Sequence, residues 1–251
     1  MSQAKRVRQA RILAELAGSP SLRIADLARL HQVSAETIRR DLDELTRQGL
    51  LNRTYGGAVK AAPAEPSLSE RNLMFIAERE RIAARALREL DGARTLFIGS
   101  GSTTLYLARR LAVEGRDMTV LTHSLGVASV LGQSRSVRTL VLPGDYLASE
   151  GATVGPHCLD FINGFNVDCA VLGASGLSVD GPTEALLDCS VVYKAMIARA
   201  TRTLVLADHS KYGQVFPGQY ASWATIDGLI SDAPPPAELL ACIGEHRLHL
   251  A

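Results

Sequence analysis

Six consecutive residues, Gly99-Ser100-Gly101-Ser102-Thr103-Thr104, set two glycines among four hydroxyls directly after the apolar run Leu96-Phe97-Ile98. Glycine lets a backbone approach an anion closely, and hydroxyls together with helix N-terminal amides supply donors, so the stretch suits a phosphate. It is neither a Walker A loop, since no G-K-[ST] follows, nor G-x-G-x-x-G, and a plain strand-to-helix turn has the same composition. Other apolar runs also end in polar clusters: Thr122-His123-Ser124, Pro143-Gly144-Asp145, Gly173-Ala174-Ser175-Gly176 and Asp208-His209-Ser210-Lys211. Lys211 is a point charge suited to a phosphate, although most lysines are ordinary surface residues. A hydrolase is not supported. The run from Gly173 to Leu177 misses the last glycine of G-x-S-x-G, and Asp208, His209 and Ser210 are successive, which prevents a proton relay.

A second chemistry sits near the N-terminus, in VSAETIRRDLDELTRQGL at 33–50. Ser34 is a good N-cap and Glu36 falls in the first turn. Ile38, Leu42 and Leu45 then share one helical stripe, which puts Arg40 nearly opposite with Thr37 and Arg39 on its flanks. Two preceding helices are expected, within AKRVRQARILAELAG and LRIADLARLH, giving a helix-turn-helix. Arginines on the outer face of its third helix can pair with guanine edges or phosphates. The following LLNRTYGGAVKAA has Gly56-Gly57 for a tight hairpin, flanked by Arg53 and Lys60, and reads as a wing in which Arg53 meets the phosphate backbone. Charge agrees with this division. Residues 1–60 hold 11 Lys and Arg against 6 Asp and Glu, whereas the rest hold 16 against 20. Only the first part is expected to meet a polyanion.

Elements that must position these residues follow from periodicity. After a Pro-containing connector, AAPAEPSLSE, a helical run spans RNLMFIAERERIAARALREL; its alternating charges suit either a solvated face or packing against the next domain. From Ala93 onward the strands RTLFIG, MTVLT, VRTLVLPG, VDCAVLG, TRTLVLAD and IDGLIS alternate with helical runs, which predicts an α/β domain with a mainly parallel sheet. In such sheets ligands bind beyond the carboxyl ends of the strands. Cys158, Cys169, Cys189 and Cys242 form no C-x-x-C pair, so neither zinc nor disulfides are expected. With no apolar run of about 20 residues and no signal-peptide core, a cytoplasmic protein without membrane contact is expected.

The pattern Val33-Ser34-x-x-Thr37-Ile38-Arg39-Arg40-Asp41-Leu42-x-x-Leu45-x-x-x-Gly49-x-Leu51-x-Arg53-x-x-Gly56-Gly57-Ala58 resembles the DeoR family of bacterial transcription regulators. The resemblance continues to the C-terminus. It implies a winged helix-turn-helix domain followed by a sensor domain of ribose-5-phosphate isomerase-like fold. It places Ser34, Thr37, Arg39, Arg40, Arg53, Gly56 and Gly57 at double-stranded operator DNA. A phosphorylated sugar or polyol would lie among Ser100, Gly101, Ser102, Thr103, Thr104, His123, Ser124, Gly144, Gly173, Ser175 and Lys211. Four positions differ from the pattern common in relatives: Gly99 for an acid, His123 for Asn, Pro143 for Gly and Ser175 for Asp. The stretches LDFINGF, SGLSVDG, ADHSKYG and SDAPPP resemble the branch that controls glycerol-3-phosphate use, which makes glycerol-3-phosphate a candidate effector.

The expected organisation is a DNA-binding domain over 1–60, a linker and connecting helix over 61–92, and a sensor domain over 93–251. The expected activity is repression of a carbohydrate or polyol operon by a homodimer or homotetramer without cofactor. The alternative is a sugar-phosphate isomerase with an attached DNA-binding domain, for which Ser175 is a poor substitute for an acid and Lys211 alone is insufficient.

Overall fold

The stripe of Ile38, Leu42 and Leu45 is buried against Ile12, Ile24, Leu27 and Leu51, forming a separate small core. The computed structural model describes residues 3–18, 21–47, 51–54, 57–60 and 65–251, and the chain divides into two units, Met1–Ala64 and Glu65–Ala251. The segment expected to link and connect therefore belongs, from Glu65 on, to the second unit.

The first unit runs α1 (Gln3–Gly18), β1 (Ser21–Arg23), α2 (Ile24–Leu30), α3 (Ala35–Arg47), β2 (Leu51–Thr54) and β3 (Gly57–Lys60). The second helix begins later than its periodicity predicts, because Ser21–Arg23 instead pairs antiparallel with β3 and completes a three-stranded wing. β2 and β3 form the expected hairpin, with Arg53 opposite Ala58 and Thr54 opposite Gly57. Gly49 and Gly56 lie outside the described residues, as does the side chain of Arg53. Helix α1 is fastened to α3 by Arg8 on the buried Asp41 at 2.5 Å and by Lys5 on Glu44. Val7 of α1 is half exposed.

The second unit begins with α4 (Leu68–Arg71) and α5 (Ile76–Glu89), where one continuous helix was expected. Ser67 and Glu70 form a reciprocal capping box that starts a separate turn. The Arg79 guanidinium then donates to the carbonyls of Arg71 and Met74, satisfying the acceptors that the break exposes. There follow β4 (Thr95–Ile98), α6 (Ser102–Glu114), β5 (Met118–Thr122), α7 (Leu125–Leu131), β6 (Val137–Val141), β7 (Asp145–Leu147), β8 (Ala152–Val154), α8 (Pro156–Asn163) and β9 (Val167–Gly173). The remainder is β10 (Gly176–Ser178), β11 (Gly181–Glu184), α9 (Leu187–Ala198), β12 (Ala200–Leu206), β13 (Gly218–Gln219), β14 (Gly228–Ser231), α10 (Ala237–Ile243) and β15 (Leu248–Leu250).

Seven of these strands make one sheet in the order β15-β14-β12-β9-β4-β5-β6, and every pairing in it is parallel. Alternation of side chains splits each strand between two cores. Leu96 and Ile98 face Ile82, Leu107 and Val127 of α5, α6 and α7, whereas Phe97 faces Ile162, Val192 and Met196 of α8 and α9. Because the chain leaves β4 toward β5 and β6 on one side and returns as β9, β12 and β14 on the other, the order reverses between β4 and β9. That reversal opens a crevice beyond the carboxyl ends of these two strands. The β7–β8 hairpin and the small β10-β11-β13 sheet are inserted after β6, β9 and β12, and so build up the same edge.

The turn between α2 and α3 has a testable consequence. Val33 N–H bonds the carbonyl of Ala28 and Gln32 N–H that of Arg29, a double-bonded helix ending whose intervening residue must be left-handed. Gln32 takes that role at φ 52°, a conformation that strains a residue with a Cβ by about 1–2 kcal/mol. Replacing Gln32 by Gly removes the strain, partly offset by the larger entropy of unfolded glycine. Native-state hydrogen exchange of the α2 and α3 amides is expected to slow about threefold. Faster exchange would mean that the Gln32 side chain contributes more than its backbone costs.

Candidate functional site

Gly101, at φ 118°, ends the loop after β4 and immediately precedes α6. A left-handed φ of this size favours glycine, and no atom lies closer than 3.9 Å to where its Cβ would sit. No side chain caps α6, so its first amides have no partner within the helix. The Ser102 hydroxyl beside them is buried and has no hydrogen-bond partner either. Unsatisfied donors at a helix N-terminus form a site for an anion.

The space in front of them is lined by Ser100 to Thr103 from the β4–α6 loop and by Gly173 and Ala174 from the end of β9. Both are the strand ends at the topological reversal. Lys211 joins from beyond β12, on a 3-10 turn that starts when the Asp208 carboxylate accepts from Ser210 N–H at 3.2 Å. Asp208 is fully buried and is neutralised by Arg79 at 3.3 Å. Arg71, at the end of α4, pairs with the buried Glu150. Tyr193 from α9 closes the floor, its hydroxyl donating to the Ser100 carbonyl at 2.9 Å. Gly99 is required beneath it, since a Cβ there would come within 2.8 Å of the Tyr193 ring.

Two carboxylates, Glu150 and Glu184, also line the space. Glu184, at the end of β11, lies 2.9 Å from Ser175 Oγ and accepts from Ala185 N–H at 3.0 Å, both through Oε1. Burial, with the charges of Glu65 and Glu150 added, pushes its carboxyl up to about 7. Burial raises Glu150 as well, against the pull of Arg71. The residual cavity is about 20 Å³, which is room for about one water.

Of the residues expected at the effector, Ser100, Gly101, Ser102, Thr103, Gly173 and Lys211 line this space. Ser175 lies behind it, bridging Glu184 and Glu65. His123, Ser124, Thr104 and Gly144 do not line it. His123 is completely buried: its Nε2 accepts from Ser100 N–H at 2.9 Å, and Nδ1–H donates to the Thr153 carbonyl at 2.9 Å. Burial lowers its pKa to about 4, so the ring is neutral and braces the loop from below. Ser124 caps α7 through Val127 N–H, and Thr104 bonds the Gly101 carbonyl. Gly144 is demanded by packing, since a Cβ would lie 2.3 Å from the Val154 carbonyl oxygen. Sequence reading missed Glu65, Arg71, Arg79, Glu150, Glu184 and Tyr193. None carries a local signature; Glu65 falls in the stretch that reads as connector, and Arg71 and Arg79 in the helical run after it.

On the first unit, Ser34 Oγ accepts from Thr37 N–H at 3.1 Å and caps α3. Arg39 and Arg40 follow, with side chains 53% and 78% exposed, each resting on Glu36 at 3.5 and 3.3 Å. Such exposed pairs within one helix are worth only about 0.2–0.5 kcal/mol, so Glu36 releases either arginine readily to a polyanion. Among the described residues, no group of three or more His, Cys, Asp or Glu could hold a metal ion, and no helix is long and apolar enough to cross a membrane.

Residues 8–63 match the DeoR-like helix-turn-helix domain, and residues 74–233 match the DeoR C terminal sensor domain. The chain is 30% identical over 230 residues to the glycerol-3-phosphate regulon repressor of Escherichia coli (strain K12), covering 90% of each. It is 33% identical over 210 residues to the transcriptional repressor AccR of Agrobacterium fabrum, covering 82% of this chain and 81% of that one. A solved D-ribose-5-phosphate isomerase in complex with phospho-erythronic acid matches 53% of this chain and 52% of its own, at 19% identity and a TM-score of 0.39.

Glu184 makes the stability of the second unit depend on pH. Its folded pKa of about 7 lies above the ordinary value of 4.5, so the folded state favours the protonated form. The resulting stability is complete below about pH 4.5 and is lost as pH rises through 7. Between pH 6 and pH 8, the thermal midpoint of the Glu184→Gln variant is expected to fall less than that of the parent. Parallel profiles would show that Glu184 titrates normally.

Proposed function

The chain belongs to the DeoR family of transcriptional repressors, and we propose that its C-terminal unit senses a phosphorylated sugar or polyol that releases its N-terminal unit from operator DNA. The observation that carries the sensor reading is the unpartnered Ser102 hydroxyl at the uncapped start of α6, with Lys211 and Arg71 on the same space. These groups suit the phosphoryl end. Glu184 Oε2, left open when Oε1 takes all its hydrogen bonds, and Glu150 suit the hydroxyls of the carbon skeleton. Glycerol-3-phosphate has both features, and the relative from Escherichia coli is named for its regulon.

On the DNA side, Arg39 and Arg40 from α3 enter a major groove, Ser34 and Thr37 border it, and Arg53 of the wing meets phosphate. Two-fold operators call for a dimer or tetramer of the chain, acting in the cytoplasm without a cofactor. Effector binding in one unit and DNA binding in the other are coupled by about 1–3 kcal/mol per site. The chain is a regulator and not an enzyme, as its repressor relatives are.

Arg40→Ala is expected to weaken specific operator binding by about 1–3 kcal/mol. Electrophoretic titration against operator and scrambled DNA checks this, and unchanged affinity for both removes Arg40 from the interface. A thermal-shift screen of phosphorylated sugars and polyols identifies the effector, because a ligand of the folded state raises its midpoint. Lys211→Ala is expected to abolish that shift. A variant that keeps the shift would place the phosphate elsewhere.

A further inference from the structure

Two cations that line the pocket already hold an anion, and it is part of the chain. Glu65 is the first residue of the second unit, directly after Ala64 of the first. Its carboxylate accepts from Lys211 Nζ at 3.0 Å and from Ser175 Oγ at 2.6 Å, and it lies 3.7 Å from Arg71. Two of those partners, Lys211 and Arg71, are the pocket's own cations. The side chain is only 7% exposed.

We propose that Glu65 is a built-in occupant of the effector's anion site, which the effector must displace, so that binding frees the chain segment leading to the DNA-binding unit. The inference rests on the sensor reading above and adds a means of transmission to it. Three observations support displacement over coexistence. First, the remaining space of about 20 Å³ admits a water and not a phosphoryl group with a carbon skeleton. Second, a neighbouring cavity of about 150 Å³ is lined by Glu65, Pro66 and Ser67 and shares Arg71 and Glu150 with the first. Withdrawal of Glu65 therefore removes a group standing where the two spaces meet. Third, Glu65 already raises the carboxyls of Glu150 and Glu184 by its charge. A phosphate added beside it would bring a fourth anionic group to Lys211 and Arg71. Exchange keeps the count of anions constant.

Pro66 and the Ser67–Glu70 capping box connect Glu65 directly to α4 and Arg71, with the Arg71 Nε donating to the Pro66 carbonyl at 3.0 Å. Loss of the Glu65 anchor therefore releases residues 65–67 as a piece, next to the segment that enters the first unit.

The test uses the full chain, with inorganic phosphate and glycerol-3-phosphate as probes in calorimetric titrations. A competitor that fills the site at least nine-tenths of the time lowers apparent affinity by about tenfold or more. Glu65→Gln is therefore expected to bind the probes about tenfold tighter than the parent. Equal or weaker binding by this variant, with a parent that binds, overturns the role of Glu65 and leaves the pocket reading intact. If neither protein binds either probe, and the Lys211→Ala variant is indistinguishable from both, the pocket reading falls and the proposal with it. Hydrogen exchange on the unaltered parent gives a readout free of any folding defect. Saturating probe is expected to protect the amides of 99–105 while exchange at 67–71 speeds up several-fold. Protection of both segments would show that Glu65 stays in place and overturn the proposal.

Discussion

Charges withdrawn from water must be neutralised where they sit, and the second unit is organised around that constraint. Arg79 and Asp208 are both almost wholly buried and tie α5 to the end of β12. Arg71 with Glu150 ties α4 to the turn after β7, and Lys211 with Glu65 ties the turn after β12 to the start of the unit. Each pair joins segments far apart in sequence. Removing one member strands its partner, which costs several kcal/mol in a site this dry. The three pairs thus act as staples across the crevice, and they hold its cations at a spacing that backbone geometry alone would not impose. Ion pairs of this kind are also replaceable: an incoming anion can take over a cation that a carboxylate gives up.

The crevice exists because of strand order. Parallel strands β4 and β9 send their chains to opposite sides, so the two loops beyond them part and leave a gap. α6 starts at that gap and points its unsatisfied amides into it. The first unit solves the opposite problem. Its core is small, and two cations of α1 are consumed by Asp41 and Glu44 in fastening α1 to α3. Arg39 and Arg40, one helical face away, rest only on exposed Glu36. One unit hides its charges in pairs, and the other leaves them accessible.

Elements with a strong local period were legible in the sequence. Six of the seven strands in the large sheet read out correctly because buried parallel strands are near-continuous apolar runs. The missed β15 and the short β10, β11 and β13 are only two to four residues long, below the length at which alternation can be counted. Leu22 and Arg23 read as helix because their strand character comes from the wing they pair with, which is a tertiary effect. The glycine-hydroxyl loop and Lys211, picked out by their local chemistry, line one space. The Glu65 contacts span 110 and 146 residues, and no windowed pattern carries such a separation. His123 failed for a related reason: a polar residue at a strand end reads the same whether it faces the crevice or the protein beneath, and here it faces the protein.

Hydrogen-bond accounting gives the pocket a direction. Donors collect on one side, where the α6 amides, the Ser102 hydroxyl, Lys211 and Arg71 converge. On the other, Glu184 keeps Oε2 open as an acceptor, while Glu150 sits among the donors, paired with Arg71 and close to Gly101. A ligand that is anionic throughout would satisfy the first side and be repelled by the second; a neutral polyol would do the reverse. Only a molecule with an anion at one end and hydroxyl donors at the other meets both demands, and it meets them in one orientation. Glu184 near neutrality sharpens this, since its charge, and with it the preference for donors, changes over the pH range in which phosphate monoesters complete their own ionisation. A carboxyl poised in this way is also what proton transfer requires, yet here its Oε1 is held by Ser175 and by two backbone amides of the turn into α9. Those bonds fix the orientation of the carboxylate and leave Oε2 facing away from them.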